Sequence, residues 1–162
     1  MSRRRDDEGI KIIVTNRKAR HEYHIVQTWE AGLVLVGTEV KALRTGKASL
    51  GDAFGEIRDG EAWLCKMHIG PYEQGNRENH EPFRRRKLLL SRREIRKIRP
   101  RIEERGLTLV PLRVYFRNGL AKVELGLGRG KRYVDKRQDK AKQDVDRRMA
   151  RELGRRRREG DG

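Results

Sequence analysis

The stretch Leu107–Leu127, LTLVPLRVYFRNGLAKVELGL, reads as two β-strands joined by a tight turn. Asn118-Gly119 is a strong short-range hairpin signal, because both residues tolerate positive φ. On the first arm the apolar positions run Leu107, Leu109 and then shift phase to Leu112, Val114 and Phe116. Pro111 stands at the shift, which predicts a bulge or corner. On the return arm Val123, Leu125 and Leu127 share one face.

Upstream, the same pattern recurs. Phe54–Arg58 and a return strand bearing Trp63, Cys65, Met67 and Ile69 on one face flank Asp59-Gly60, a second hairpin turn. Tyr23–Trp29 alternates as a half-buried strand, with Tyr23, Ile25 and Trp29 on one side. Glu30-Ala31-Gly32 reads as a turn and Leu33–Val36 as a returning strand, giving another hairpin. Ile10–Val14 is a short strand. Val40, Leu43 and Arg44 indicate one or two helical turns ending at Gly46. Ser91-Arg92-Arg93-Glu94 is a capping box, and Ile95, Ile98 and Ile102 form one apolar stripe on the helix that follows. Pro100 predicts a kink or restart in that helix, and Gly106 its end. Three hairpins interrupted by two helices predict a mainly β protein, an OB-like small β-barrel. A sandwich of the same strands is the alternative.

The expected organisation is a disordered N-terminus over 1–9, the barrel over 10–130 and a basic tail over 131–162. The formal net charge is +17. Arg129–Gly162 carries +7 of it (14 Lys/Arg against 7 Asp/Glu), so the body before it is basic as well. In the tail Val145, Met149 and Leu153 are spaced by four, too narrow a stripe to hold a lone helix in water. The tail is therefore expected to be disordered when free and to become helical on a partner.

Such a charge points to a polyanionic partner, nucleic acid above all. No apolar run approaches the ~20 residues of a membrane span, and the N-terminus lacks the apolar segment of a signal peptide. One cysteine, Cys65, excludes an internal disulfide and fits a reducing, cytoplasmic setting. No CxxC is possible and no HExxH occurs, so neither metal nor cofactor is expected. Gly126-Leu127-Gly128-Arg129-Gly130 leads into a basic segment rather than an apolar helix, which argues against a nucleotide cradle.

Three basic groups and His21 crowd into Asn16-Arg17-Lys18-Ala19-Arg20-His21, which reads equally as a solvated loop or as an RNA-facing cluster. Gly70–Lys87 lacks periodicity and ends in Arg84-Arg85-Arg86-Lys87. Four adjacent cations with no prospect of neutralisation inside the protein favour a functional loop. Rings beside such clusters, Tyr23 and Tyr133 among them, are able to stack on unpaired bases.

Several motifs occur in a particular order: Asn16–Tyr23 (NRKARHEY), Glu30-Ala31-Gly32, Gly37–Leu50 (GTEVKALRTGKASL), Arg86–Ser91 (RKLLLS) and Gly130–Arg137 (GKRYVDKR). Together they resemble the SsrA-binding protein (SmpB) family, the transfer-messenger RNA partners of bacterial ribosome rescue. The resemblance covers about Ile10–Arg137, with the tail beyond. It implies an OB-like barrel that does no covalent chemistry. It also implies binding to the tRNA-like part of transfer-messenger RNA, with delivery to stalled ribosomes alongside the elongation factor that carries aminoacyl-tRNA. The implied protein is a cytoplasmic monomer.

The RNA-binding candidates are Asn16, Arg17, Lys18, Arg20, His21, Glu30, Lys41, Arg44, Lys87, Leu89, Ser91, Lys131 and Arg132. The family often has Asn where this chain has Ser91. Tyr133, Asp135, Lys136, Arg137, Val145 and Met149 are the candidates for a tail that fills the empty decoding site and mRNA channel. Family members often carry His or Tyr where this chain has Val134, which makes Tyr133 the ring available for stacking. A basic ribosomal or assembly protein bound to ribosomal RNA is the alternative function, and a nuclease a third.

Overall fold

The computed structural model describes residues 9–74 and 79–131, with Arg148, Met149 and Arg151 further on. The chain divides into two units, Met1–Arg129 and Gly130–Gly162. In the first, the elements run β1 (Ile10–Thr15), α1 (Arg17–Glu22), β2 (Tyr23–Leu33), α2 (Gly37–Arg44), β3 (Ala48–Ser49), β4 (Phe54–Arg58), β5 (Glu61–Cys65), β6 (His68–Ile69), β7 (Arg86–Leu89), α3 (Arg92–Arg105), β8 (Thr108–Arg117) and β9 (Leu120–Gly130).

β8 organises the sheet. One edge pairs with β9 from Thr108↔Gly128 to Arg117↔Leu120, with the register shifting between Pro111 and Arg113. Its other edge takes β4 at Gly55↔Leu109 and β1 from Thr15↔Arg113 to Ile10↔Arg117. The order β8-β4-β5-β7-β2-β9, with β9 returning to β8, closes a six-stranded ring. Closure leaves no free edge in that ring for another chain to extend. Leu64, Leu88, Leu109, Val114, Val123 and Leu125 fill its interior, and Ile98 of α3 joins the same core. β3 and β6 form a separate pair.

Both hairpin turns place their two central residues at positive φ: Asp59 and Gly60 at 53° and 75°, Asn118 and Gly119 at 50° and 79°. The capping box of α3 also forms, with Glu94 N donating to Ser91 Oγ and Ser91 N donating to Glu94 Oε1.

Four expectations are corrected. Glu30-Ala31-Gly32 is not a turn, because β2 runs through it to Leu33. Gly32 is needed there for close approach: it pairs with Leu89, and a Cβ would lie 3.1 Å from Leu89 Cβ. The buried face of β5 is Ala62 and Leu64 rather than that of Trp63, while Cys65 at the strand's end is buried as expected. Lys66, at φ 60°, then breaks the strand and shifts the phase, so Met67 and Ile69 are the next residues fully buried. The Asn16–His21 run builds a helix in addition to the two expected in the barrel region. Pro100 brings no restart: it lies inside a continuous α3, which Ile95 and Ile98 hold on the barrel despite the missing donor.

Candidate nucleic-acid interface

The basic helix α1 is bolted to the barrel by its cap. Asn16 Oδ1 accepts from Ala19 N (3.1 Å), Asn16 Nδ2 donates to Pro111 O (3.0 Å), and Asn16 N donates to Leu112 O (2.7 Å). Asn16 is buried, so it positions the helix rather than presenting itself to a partner. Ala19 is the buried anchor. Arg17, Lys18, Arg20 and His21 are all exposed. Lys18 lies 3.7 Å from Glu22 and 4.0 Å from Asp52, whereas Arg17 and Arg20 have no carboxylate partner among the described residues. A six-residue helix anchored by Asn16 and Ala19 thus holds the Arg17 and Arg20 guanidinium groups exposed, an arrangement suited to phosphate contacts.

Glu30, Leu89 and Ser91 come together at neighbouring ends of β2 and β7. Glu30 precedes and Ser91 follows the Gly32↔Leu89 pair, each by two residues. Leu89 is 56% exposed, unusual for a leucine on a barrel strand. Glu30 Oε2 accepts from Tyr115 Oη at 2.5 Å and from Arg117 Nε at 3.1 Å. Burial, then the hydrogen bond to Glu30, pushes the Tyr115 phenol up to about 12. Tyr115 and Arg117 escape a reading of the sequence. Their strand buries residues on both faces, Tyr115 among them, so alternation there does not single out either residue.

Lys41 and Arg44 are exposed on α2, the first over the Tyr72 ring at 5.5 Å and the second over Phe116 at 6.0 Å. Lys131 is half-buried, and Met149 is helical and exposed. Arg132, Tyr133, Asp135, Lys136, Arg137 and Val145 lie outside the described residues.

The Arg84–Lys87 run is corrected, for each of its cations has a partner within the protein. Glu39, fully buried on α2, accepts from Arg84 Nη2 at 2.5 Å and from Arg86 Nε. Arg86, also fully buried, donates further to Met67 O (2.7 Å) and Pro82 O (3.1 Å). Burial by itself would raise the Glu39 pKa. The hydrogen bonds from Arg84, Val36 N and Arg86 outweigh it and hold the carboxyl below its ordinary value. Arg85 stacks over Trp63 at 4.5 Å, and Lys87 pairs with Glu61 at 3.2 Å. The segment before the run is pinned as well, with His80 hydrogen-bonded to Thr38 Oγ1 and to Ile69 O, each at 2.9 Å. Nearby, Cys65 is buried, and its thiol is pushed up to about 11 by burial and by its bond to Glu56. Such a thiol is unreactive at neutral pH.

These features define a class: a basic, OB-like β-barrel that presents positioned cations on its surface. The chain belongs to the SmpB family, whose model (SmpB protein) matches residues 13–155. The SsrA-binding protein of Desulforudis audaxviator is 59% identical over 89% of this chain and 94% of its own length. That of Acidothermus cellulolyticus is 58% identical over 93% and 94%. A solved structure described as "tmRNA-SmpB: a journey to the center of the bacterial ribosome" is similar to this fold with a TM-score of 0.62. It is 51% identical in sequence and covers 73% of this chain and 83% of that one.

Proposed function

We propose that this protein binds the tRNA-like part of transfer-messenger RNA and delivers it to stalled ribosomes for trans-translation. The observation that carries this reading is the near full-length identity to SsrA-binding proteins, joined to a barrel whose exposed cations are rigidly mounted. The protein does no covalent chemistry and acts as a cytoplasmic monomer. Arg17, Lys18, Arg20, His21, Lys41 and Arg44 meet phosphates, while Glu30, Leu89 and Ser91 with Arg117 fit the RNA surface by shape, Glu30 being held in place by the buried Tyr115. The elongation factor that carries aminoacyl-tRNA accompanies the complex. The tail over 131–162 takes the place of missing mRNA and anticodon in the decoding site, with Tyr133 and Asp135-Lys136-Arg137 at its start and Val145 and Met149 on its helical stripe.

Competition binding at near-physiological salt tests this. Labelled transfer-messenger RNA is challenged with an ordinary tRNA and with a length-matched ribosomal RNA fragment. A preference of several hundredfold, about 3–4 kcal/mol, is expected. Equal competition by all three RNAs would overturn the reading and favour a permanent ribosomal RNA-binding role.

A further inference from the structure

Beside the α1 patch lies a groove of about 600 Å³ lined by Ser49, Gly51, Asp52, Lys66, His68 and Phe83. Phe83 is the only aromatic among the exposed large apolar residues described, at 57% exposure. Its ring meets His68 with centroids 4.9 Å apart and planes tilted by 59°, forming a two-ring corner.

The backbone on both sides of Phe83 is held. Pro82 O accepts from Ile69 N (2.9 Å) and from Arg86, and Arg84 is bound to the buried Glu39. An exposed ring on a fixed backbone loses little entropy when something stacks on it. Lys66, strained at φ 60°, sits on the rim with no carboxylate partner among the described residues. Gly51 and Asp52 also line the neighbouring groove under α1, so the corner is continuous with Lys18 of that helix.

We propose that Phe83, His68 and Lys66 form a stacking pocket for an unpaired RNA base whose flanking phosphates lie on α1. A π-face, an adjacent ring, a free ammonium and the Asp52 and Ser49 acceptors are the groups that single-stranded RNA recognition uses. Together with the net charge of +17, they fit a nucleobase better than an apolar protein segment. The inference rests on the RNA-binding role proposed above and adds a site to it.

The test titrates the full chain with transfer-messenger RNA over a range of salt concentrations. Phe83→Ala is expected to weaken binding about tenfold at every salt concentration, leaving the slope of log K against log salt unchanged. Phe83→Tyr restores affinity, and thermal unfolding shows that each variant is folded. Arg17→Gln with Arg20→Gln instead makes the slope shallower, because phosphate contacts carry it. Wild-type affinity in Phe83→Ala, or no rescue by Tyr, would overturn the pocket. Unchanged transfer-messenger RNA affinity with lost ribosome association would overturn it in favour of a contact with the ribosome. Failure of the functional reading shows differently, as equal binding of all RNAs by the wild type. The pocket is then tested on whichever RNA binds.

Discussion

Glu39 has no exposure, and its two arginine partners lie 45 and 47 residues further along the chain. Removing one side of a buried ion pair leaves an uncompensated charge. Glu39→Gln is expected to cost about 3–5 kcal/mol, read from urea midpoints. With its folded pKa below 4.5, the Glu39 contribution is complete above that pH and is lost as pH falls through the folded value. The variant should therefore lack that acid limb of the stability profile. Tyr115 behaves oppositely. Its neutral form is favoured in the fold, so its contribution is complete below pH 10.0 and disappears as pH rises to about 12. Tyr115→Phe should remove that alkaline loss, measured by urea unfolding at stepped pH. Neither residue stands out in the sequence, since Glu39 reads as one charge in a helical motif and Tyr115 as one strand aromatic among several.

Elements were legible where a few neighbouring residues decide them. Asp59-Gly60, Asn118-Gly119 and the Ser91–Glu94 box each depend on chemistry within four residues, and each forms as expected. Elements that depend on distant partners were not legible. β2 runs through Glu30–Gly32 because β7 lies beside it, and α3 continues past Pro100 because the barrel holds Ile95 and Ile98. Pro100→Ala restores the missing donor within that helix. It should raise stability by about 1–2 kcal/mol, part of the intrinsic gain being offset by a freer unfolded chain. Thermal unfolding checks this, with RNA affinity unchanged. Asn16→Ala removes both the α1 cap and its tie to Pro111. A loss of about 1–2 kcal/mol is expected, together with weaker RNA binding, because the α1 cations lose their fixed mounting.

The whole molecule carries +17 on 162 residues, and several of its cations are matched internally. Affinity for transfer-messenger RNA should therefore reflect the positioned, unmatched cations rather than total charge. Six or more phosphate contacts would lower affinity by about 10³-fold or more between 50 and 200 mM salt. Isothermal binding at four salt concentrations measures this. A slope unchanged by Arg17→Gln with Arg20→Gln would remove α1 from the interface.

The sequence by itself determined the strand-rich class, two of the tight turns, the capped helix, the basic character and the ordered motifs that mark the family. All of these follow from residue chemistry at short separations. Only the tertiary structure decided that the sheet closes into a ring and that the Arg84–Lys87 run is matched internally. It alone set Asn16 as a bolt between α1 and β8, and brought Glu30 to Tyr115 from 85 residues away. Those outcomes depend on which distant groups closure brings within hydrogen-bonding reach, and spacing along the chain does not encode that distance.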